Sequence, residues 1–322
     1  HCDHQGLFKS VVKHYAKLAP QTAPQTVQAA VFQAVDGRPG PVLLDLPSDL
    51  GRSECGSPLP ASAAKSDDAP LDDRAIAGAR DFIKQHPRLA LLVGADVIRA
   101  GAISELIQFV EHTGAVVLVG MDARGVFPES HPRWAGTLMG FYGPNVIETE
   151  IFSQVDGVML IGMDQMMSHA PWKVSLPTCE LVARSEFATL SPTPKVRVNG
   201  NLKTSLRAMG DVSGPGIPVE QIQKSRAKIL AYFKRPAAAR LAAQDIIEIS
   251  RRVLPNDGLL LSETGAFVCM LEHLWPVAQP GTYLGTSGGR SMGLTVPYLI
   301  GAKLARPNLP MVGIGADGSL LM

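Results

Sequence analysis

The chain has 322 residues, enough for two or three domains of ordinary size. Its 30 Lys+Arg balance 29 Asp+Glu at a formal charge of +1, with no block of like charge to track a phosphate backbone, so a nucleic-acid partner is not expected. Although 46% of the residues are hydrophobic, no unbroken apolar stretch approaches the roughly 18 residues that span a bilayer, so no membrane partner is expected either.

At the amino terminus, His1-Cys2-Asp3-His4 looks like a metal tetrad, but adjacent residues cannot wrap one ion without strain, and the segment reads as loop. The four cysteines, Cys2, Cys55, Cys179 and Cys269, lack CxxC spacing, which argues against a zinc site or a disulfide framework and suits a reducing cytosol or organelle matrix. The expected location is cytoplasmic. Residues 24–35 place Val27, Ala30, Val31 and Ala34 at helical spacing. A Gly37-Arg38-Pro39-Gly40 turn and a buried strand at 41–47 follow. A polar, Pro/Ser/Ala-rich stretch at 53–73 reads as a linker.

A second block predicts helix at 72–85, strand at 89–94, helix at 104–113, and strands at 115–120 and 157–162. Short apolar strands alternating with helices indicate a parallel sheet covered on both faces. Residues 122–132 carry too many breakers for helix or strand and form a long loop at the sheet's edge, where functional loops gather. A third block predicts helix at 238–253, strand at 259–261 leading into Glu263-Thr264-Gly265, a Gly-rich turn over 285–293, helix at 296–305, and a last strand at 310–314.

That strand breaks into Gly315-Ala316-Asp317-Gly318-Ser319. A lone acid among small residues at a strand end can offer a carboxylate and open backbone to a Mg²⁺-bound diphosphate; Gly318 permits close approach, and Ser319 supplies a hydroxyl donor or opens a helix as its N-cap. The same letters also spell an ordinary turn.

The order and spelling of the third block resemble the thiamine-diphosphate-dependent enzymes of the acetolactate synthase type. Ser291-Met292-Gly293, Pro297, Ile300-Gly301-Ala302-Lys303-Leu304-Ala305 and Pro307 look like one family series, and Asp317-Gly318-Ser319 looks like the family's Mg²⁺ and diphosphate motif. Gly37 to Pro47 is similar to the close of the pyrimidine-binding domain, and Arg124-Gly125-Val126-Phe127-Pro128, His131-Pro132 and Gly136 to the central-domain loop. The resemblance implies an α/β fold of successive doubly wound parallel-sheet domains, partial at both ends. Residues 1–58 would end the pyrimidine-binding domain, 70–210 form the central domain, and 236–322 be the front half of the diphosphate-binding domain. An internal piece of a longer protein, inactive alone, is the expectation, with the family's glutamate before His1 and its second metal ligand beyond Met322.

By the same resemblance, Asp317 is the Mg²⁺ ligand, Met292 the apolar wedge that bends the cofactor, and Glu263, Thr264, Gly265, Gly318 and Ser319 its contacts. Gly288 and Gly289 either admit the cofactor backbone-close or only make a turn. Met292 has core packing, and Glu263 a solvent-facing loop acid, as the alternative reading. Arg290 and Lys13 are substrate candidates, with surface solvation as the alternative; Lys13 is paired with His14. His131 and His169 read as loop structure. Two departures stand out: Ala316 replaces the first Gly of the family's Gly-Asp-Gly, and Met163-Asp164-Gln165 stands where the family tends to carry an Arg on a structural FAD, which makes FAD doubtful. The implied activity is a carboligase that decarboxylates a 2-keto acid and transfers the acyl-anion unit, as a homodimer or homotetramer. The alternatives are a simple 2-keto-acid decarboxylase and a non-catalytic subunit of the same fold.

Overall fold

In a computed structural model, residues 2–37, 39–55, 71–140, 143–163, 174–184, 193–237, 240–285 and 291–322 are described. The chain divides into two compact units, His1–Asp68 and Ala69–Met322.

The first unit contains α1 (His4–Phe8), β1 (His14–Lys17), α2 (Ala23–Val35) and β2 (Val42–Asp45), and the two strands pair in parallel with His14 opposite Val42. Asp3 caps α1 by accepting the Gly6 N–H at 3.0 Å, so the would-be metal tetrad is a helix start. Among the described residues no cluster of three or more His, Cys, Asp or Glu could hold a metal ion.

The second unit runs α3 (Asp73–Gln85), β3 (Leu89–Val93), α4 (Asp96–Arg99), α5 (Ile103–Thr113), β4 (Val116–Gly120), β5 (Trp134–Leu138), α6 (Ile147–Phe152), β6 (Gly157–Ile161), β7 (Thr178–Val182), β8 (Val196–Asn199), α7 (Leu202–Met209) and α8 (Val219–Leu230). It closes with α9 (Ala243–Val253), β9 (Leu259–Ser262), α10 (Val268–Leu274), β10 (Tyr283–Leu284), α11 (Thr295–Ala305) and β11 (Met311–Ile314). The expected strands at 89–94, 115–120 and 157–162 are present. β5, β7, β8 and β10 were not anticipated, because short strands holding Trp, Thr, Glu or Arg lack a clean apolar run.

Six strands form one parallel sheet in the order β5-β4-β3-β6-β7-β8, which reverses direction between β3 and β6 as a doubly wound sheet does. Alternation sorts its two cores: Leu91, Val93, Val117 and Met159 pack with α3, α5 and α7, while Ala90, Leu92, Val116 and Leu160 pack on the other face with α6 and α8. Asp72 caps α3 through the Arg74 N–H at 2.9 Å, and Gly114, at φ 64°, ends α5 in the left-handed conformation where a Cβ would sit 2.9 Å from the Gly214 carbonyl oxygen. Residues 122–132 do form a connection after β4, but Arg124 within it is buried rather than presented to solvent.

A smaller parallel sheet, β10-β9-β11, has β9 at its centre with Leu259, Leu260, Leu261 and Ser262 all buried. Ile247, Leu260, Leu271 and Trp275 make its core. On α11, Val296, Ile300 and Leu304 are 46%, 58% and 78% exposed, an i, i+4, i+8 apolar stripe. Among the described residues no helix is long and apolar enough to cross a membrane.

Candidate functional site

The carboxyl ends of β9 and β11 lie side by side, with Ser262 opposite Ile314, so Glu263 and the 315–319 segment emerge at one edge of the small sheet. Ligands of open parallel sheets bind at that edge. Gly313 lets α11 lie close against β11: a Cβ there would sit 2.6 Å from Thr295 Cγ2 and 2.3 Å from Leu299 Cδ1.

Glu263 is 1% exposed, which rules out a solvent-facing loop acid. Its Oε2 accepts the N–H groups of Leu294 at 2.8 Å and Thr295 at 3.0 Å, so the carboxylate sits on the free donors at the start of α11. Burial pushes the carboxyl upward, but the Thr295 N–H, the Ser319 hydroxyl and the Leu294 N–H outweigh it and hold the pKa below the ordinary carboxylate value. The Ser319 and Thr295 hydroxyls contribute as neighbours of that carboxylate without reaching full hydrogen-bond geometry. Gly315 is required beside it, since a Cβ there would come 2.9 Å from Glu263 Oε1.

Asp317 is exposed and caps the short 3₁₀ turn Gly318–Leu321, its Oδ1 accepting the Gly318 N–H at 2.9 Å. The cap is therefore Asp317 and not Ser319, because Ser319 is already inside the turn and buried, its N–H bonded to the Ala316 carbonyl at 3.1 Å. Gly318 faces open space: nothing lies within 4 Å of a Cβ built on it. The hydroxyls of Thr264, Thr295 and Ser319 are buried there without a hydrogen-bond partner. Gly265 is needed for a local reason, because a Cβ would strike the Phe267 ring at 2.3 Å.

Met292 is 42% exposed, so it is not a core residue of the described chain. Gly288, Gly289 and Arg290 lie outside the described residues, as do Asp164, Gln165 and His169. In the first unit, Lys13, His14 and Tyr15 line one cavity of about 440 Å³, and Tyr15 donates to Asp45 Oδ2 at 3.0 Å. His131 serves its loop, accepting the Arg133 N–H at 3.1 Å and meeting Phe127 edge-on at 4.8 Å.

One cluster escaped sequence reasoning. Arg124 donates to Glu129 at 3.0 Å, stands 3.7 Å from Glu272 Oε2 and 4.7 Å from the Tyr283 ring centroid, and ties the six-stranded-sheet domain to α10 and β10. Burial would lower its pKa, but Glu129 and Glu272 raise it and keep the guanidinium charged. No local signal marks a pairing across about 150 positions; only the Arg-Gly step hinted at a constrained backbone, and Gly125 indeed has φ 85° against the Gln279 carbonyl.

A polar edge of one exposed carboxylate, open glycine backbone and unpartnered hydroxyls fits the oxygens of a diphosphate, and a single carboxylate fits Mg²⁺, which takes one or two protein carboxylates plus phosphate oxygens. Comparisons with known proteins agree with a diphosphate ligand at this edge. Residues 76–211 match the thiamine pyrophosphate enzyme central domain, and residues 263–322 match the thiamine pyrophosphate enzyme C-terminal TPP binding domain. A Methanocaldococcus jannaschii protein assigned as an acetolactate synthase large subunit is 26% identical, covering 99% of this chain and 58% of its own length. The acetolactate synthase large subunit of Corynebacterium glutamicum is also 26% identical, covering 99% and 53%. A crystal structure from Mycobacterium smegmatis, described as a thiamin diphosphate-dependent enzyme, superposes with a TM-score of 0.78 at 23% identity over 99% of this chain and 62% of that one, a likeness of fold. The chain thus spans somewhat over half the length of the curated relatives it matches. With residues 76–211 and 263–322 both matched to its domains and relatives aligned over 99% of this chain, this chain belongs to the thiamine pyrophosphate enzyme family.

Proposed function

We propose that this chain forms part of a thiamine-diphosphate- and Mg²⁺-dependent carboligase acting on 2-keto acids, a reading supported by relatives named acetolactate synthase large subunits. In this reading residues 1–58 end the pyrimidine-binding domain, 70–210 are the central domain, and 236–322 begin the diphosphate-binding domain. The observation that carries the reading is the joint edge of β9 and β11, where the segment bearing the exposed Asp317 carboxylate and open Gly318 emerges beside Glu263.

When bound, thiamine diphosphate supplies a nucleophilic carbon and an electron sink for decarboxylation. The protein's part is binding, orientation and exclusion of water. Asp317 would give Mg²⁺ one hard oxygen, and its own bond to the Gly318 N–H fixes that oxygen's direction. Thr264 and Ser319 would turn their buried hydroxyls to donate to phosphate oxygens, Ser319 away from its neighbour Glu263. Glu263 positions rather than binds: it pins the start of α11, and thereby Met292, which stands two residues before Leu294 and would pack as the apolar wedge. Gly265 would keep the backbone close to the cofactor and Lys13 is a candidate for the substrate carboxylate, while Gly288, Gly289 and Arg290, proposed by resemblance for cofactor and substrate contacts, lie outside the described residues.

FAD is left out of the reading. At the switch point the loops after β3 and β6 bond to each other, Asp96 N–H donating to the Gly162 carbonyl at 3.2 Å, and a carboxylate, Asp96 paired with Arg99, occupies the place where a pyrophosphate would want donors. The apolar stripe of Val296, Ile300 and Leu304 supports assembly into a homo-oligomer.

Isothermal titration of thiamine diphosphate, with and without Mg²⁺, into the protein and into Asp317→Ala tests the proposal. Micromolar binding that needs both Mg²⁺ and Asp317 is expected; binding unchanged by either omission overturns the assignment.

A further inference from the structure

A cavity of about 560 Å³ lies between the six-stranded-sheet domain and the small sheet of the second unit, within the range of small-molecule sites. Trp134, Arg226, Arg251, His273, Trp275 and Glu129 line it. Arg251 and Asn256 precede β9, whereas Glu263 follows it, so the cavity opens at the end of the small sheet away from Asp317.

Its hydrogen-bond inventory is unbalanced. Arg226 is half-buried with its Cζ 4.5 Å from the Trp134 ring centroid, and among the described residues its guanidinium has no hydrogen-bond or ion-pair partner. The nearby Glu129 attracts it electrostatically but makes no hydrogen bond or ion pair with it, its Oε1 being held by Arg124 at 3.0 Å and its Oε2 by the Val277 N–H at 3.0 Å. Arg251 lies 5.3 Å over the Trp275 ring and spends one N–H group on Asn256. Trp134 is 5% exposed and its Nε1–H has no acceptor. His273 Nδ1 donates to the Cys269 carbonyl at 2.7 Å, which leaves Nε2 as a buried acceptor without a donor. Two guanidinium groups thus line a space in which the Glu129 carboxylate is already spoken for, with an unpartnered but buried indole N–H in its wall. Two half-buried guanidinium groups beside one carboxylate that is already paired with Arg124 are under-compensated, and a bound anion offsets that. The walls are otherwise apolar or aromatic, which selects a ligand with a flat, poorly hydrated body.

We propose that this cavity binds a small organic anion with a planar apolar body, its carboxylate or phosphate seated on Arg226 and Arg251. The site is independent of the cofactor edge.

Titration of the chain with benzoate, AMP and inorganic phosphate, read by the fluorescence of Trp134 and Trp275, tests it. Saturable quenching by benzoate or AMP is expected, with inorganic phosphate much weaker. Benzoate alone identifies a carboxylate ligand, and AMP alone a phosphate one. Arg226→Met, which keeps the apolar stem over Trp134, should weaken the effective probe at least tenfold, while Asp317→Ala leaves it unchanged and so separates this site from the proposed cofactor site. Arg251→Gln provides the same comparison should Arg226→Met not fold. No saturable change with any probe, or equal affinity in the arginine variants, overturns the proposal.

Discussion

Arg124→Met removes a buried charge that pairs with Glu129 of its own loop and faces Glu272 of α10. In the native chain the guanidinium donates to Glu129 at 3.0 Å and to the carbonyls of Leu271 at 3.3 Å and Trp275, and lies 3.7 Å from Glu272. After substitution Glu129 keeps the Val277 N–H at 3.0 Å and Glu272 keeps the Tyr283 hydroxyl at 2.9 Å, so neither acid is wholly abandoned. Breaking a buried pair from one side costs about 3–5 kcal/mol. Two carbonyls losing a donor add roughly 1 kcal/mol each, and the methionine recovers part of that through packing. A net loss of about 4 kcal/mol is expected, close to three decades in the unfolding equilibrium. Urea unfolding followed by tryptophan fluorescence measures it, since Trp134 and Trp275 stand on the two sides of the boundary. Adding Glu272→Gln to Arg124→Met should cost less than the two single losses summed, because it removes an uncompensated acid. A loss below about 1 kcal/mol, or strict additivity, would refute the picture of one shared charge network.

Other consequences can be measured separately. Glu263 has a folded pKa below its unfolded value, so its contribution to stability is present above the unfolded pKa and is lost as pH falls through the folded pKa; Glu263→Gln should melt lower at neutral pH and show a flatter acid limb, and parallel pH curves for both proteins would contradict this. Gly94→Ala should destabilise by about 3 kcal/mol or more, because the added Cβ would come 2.2 Å from the Gly162 carbonyl oxygen and 2.5 Å from Met163 Cα, backbone that no rotamer change can move; thermal melting decides. Burial and the neighbouring Glu180 push the Cys179 thiol up to about 12, whereas Cys2 and Cys55 are exposed. Thiol titration at pH 8 should therefore label Cys2 and Cys55 quickly and Cys179 only on unfolding, with rapid native labelling of Cys179 as the contrary result.

What could be read without coordinates was local. The apolar runs at 89–94, 115–120 and 157–162 dictated a buried parallel sheet, since five consecutive apolar residues can satisfy their backbone and side chains together only when covered on both faces. At Asp317-Gly318-Ser319 the turn reading was legible, and the structure has Asp317 capping the Gly318–Leu321 turn, while a ligand role there is the proposal. Tertiary structure alone decided which residues answer one another across distance. Glu263 meets the start of α11 thirty residues later, Arg124 meets Glu272 and Tyr283, and Arg226 stacks on Trp134 without an ion pair among the described residues. Periodicity reports which face of an element is buried, but a charge's partner depends on how sheets and helices dock, and that is set by the summed packing of both domains rather than by any local run of residues.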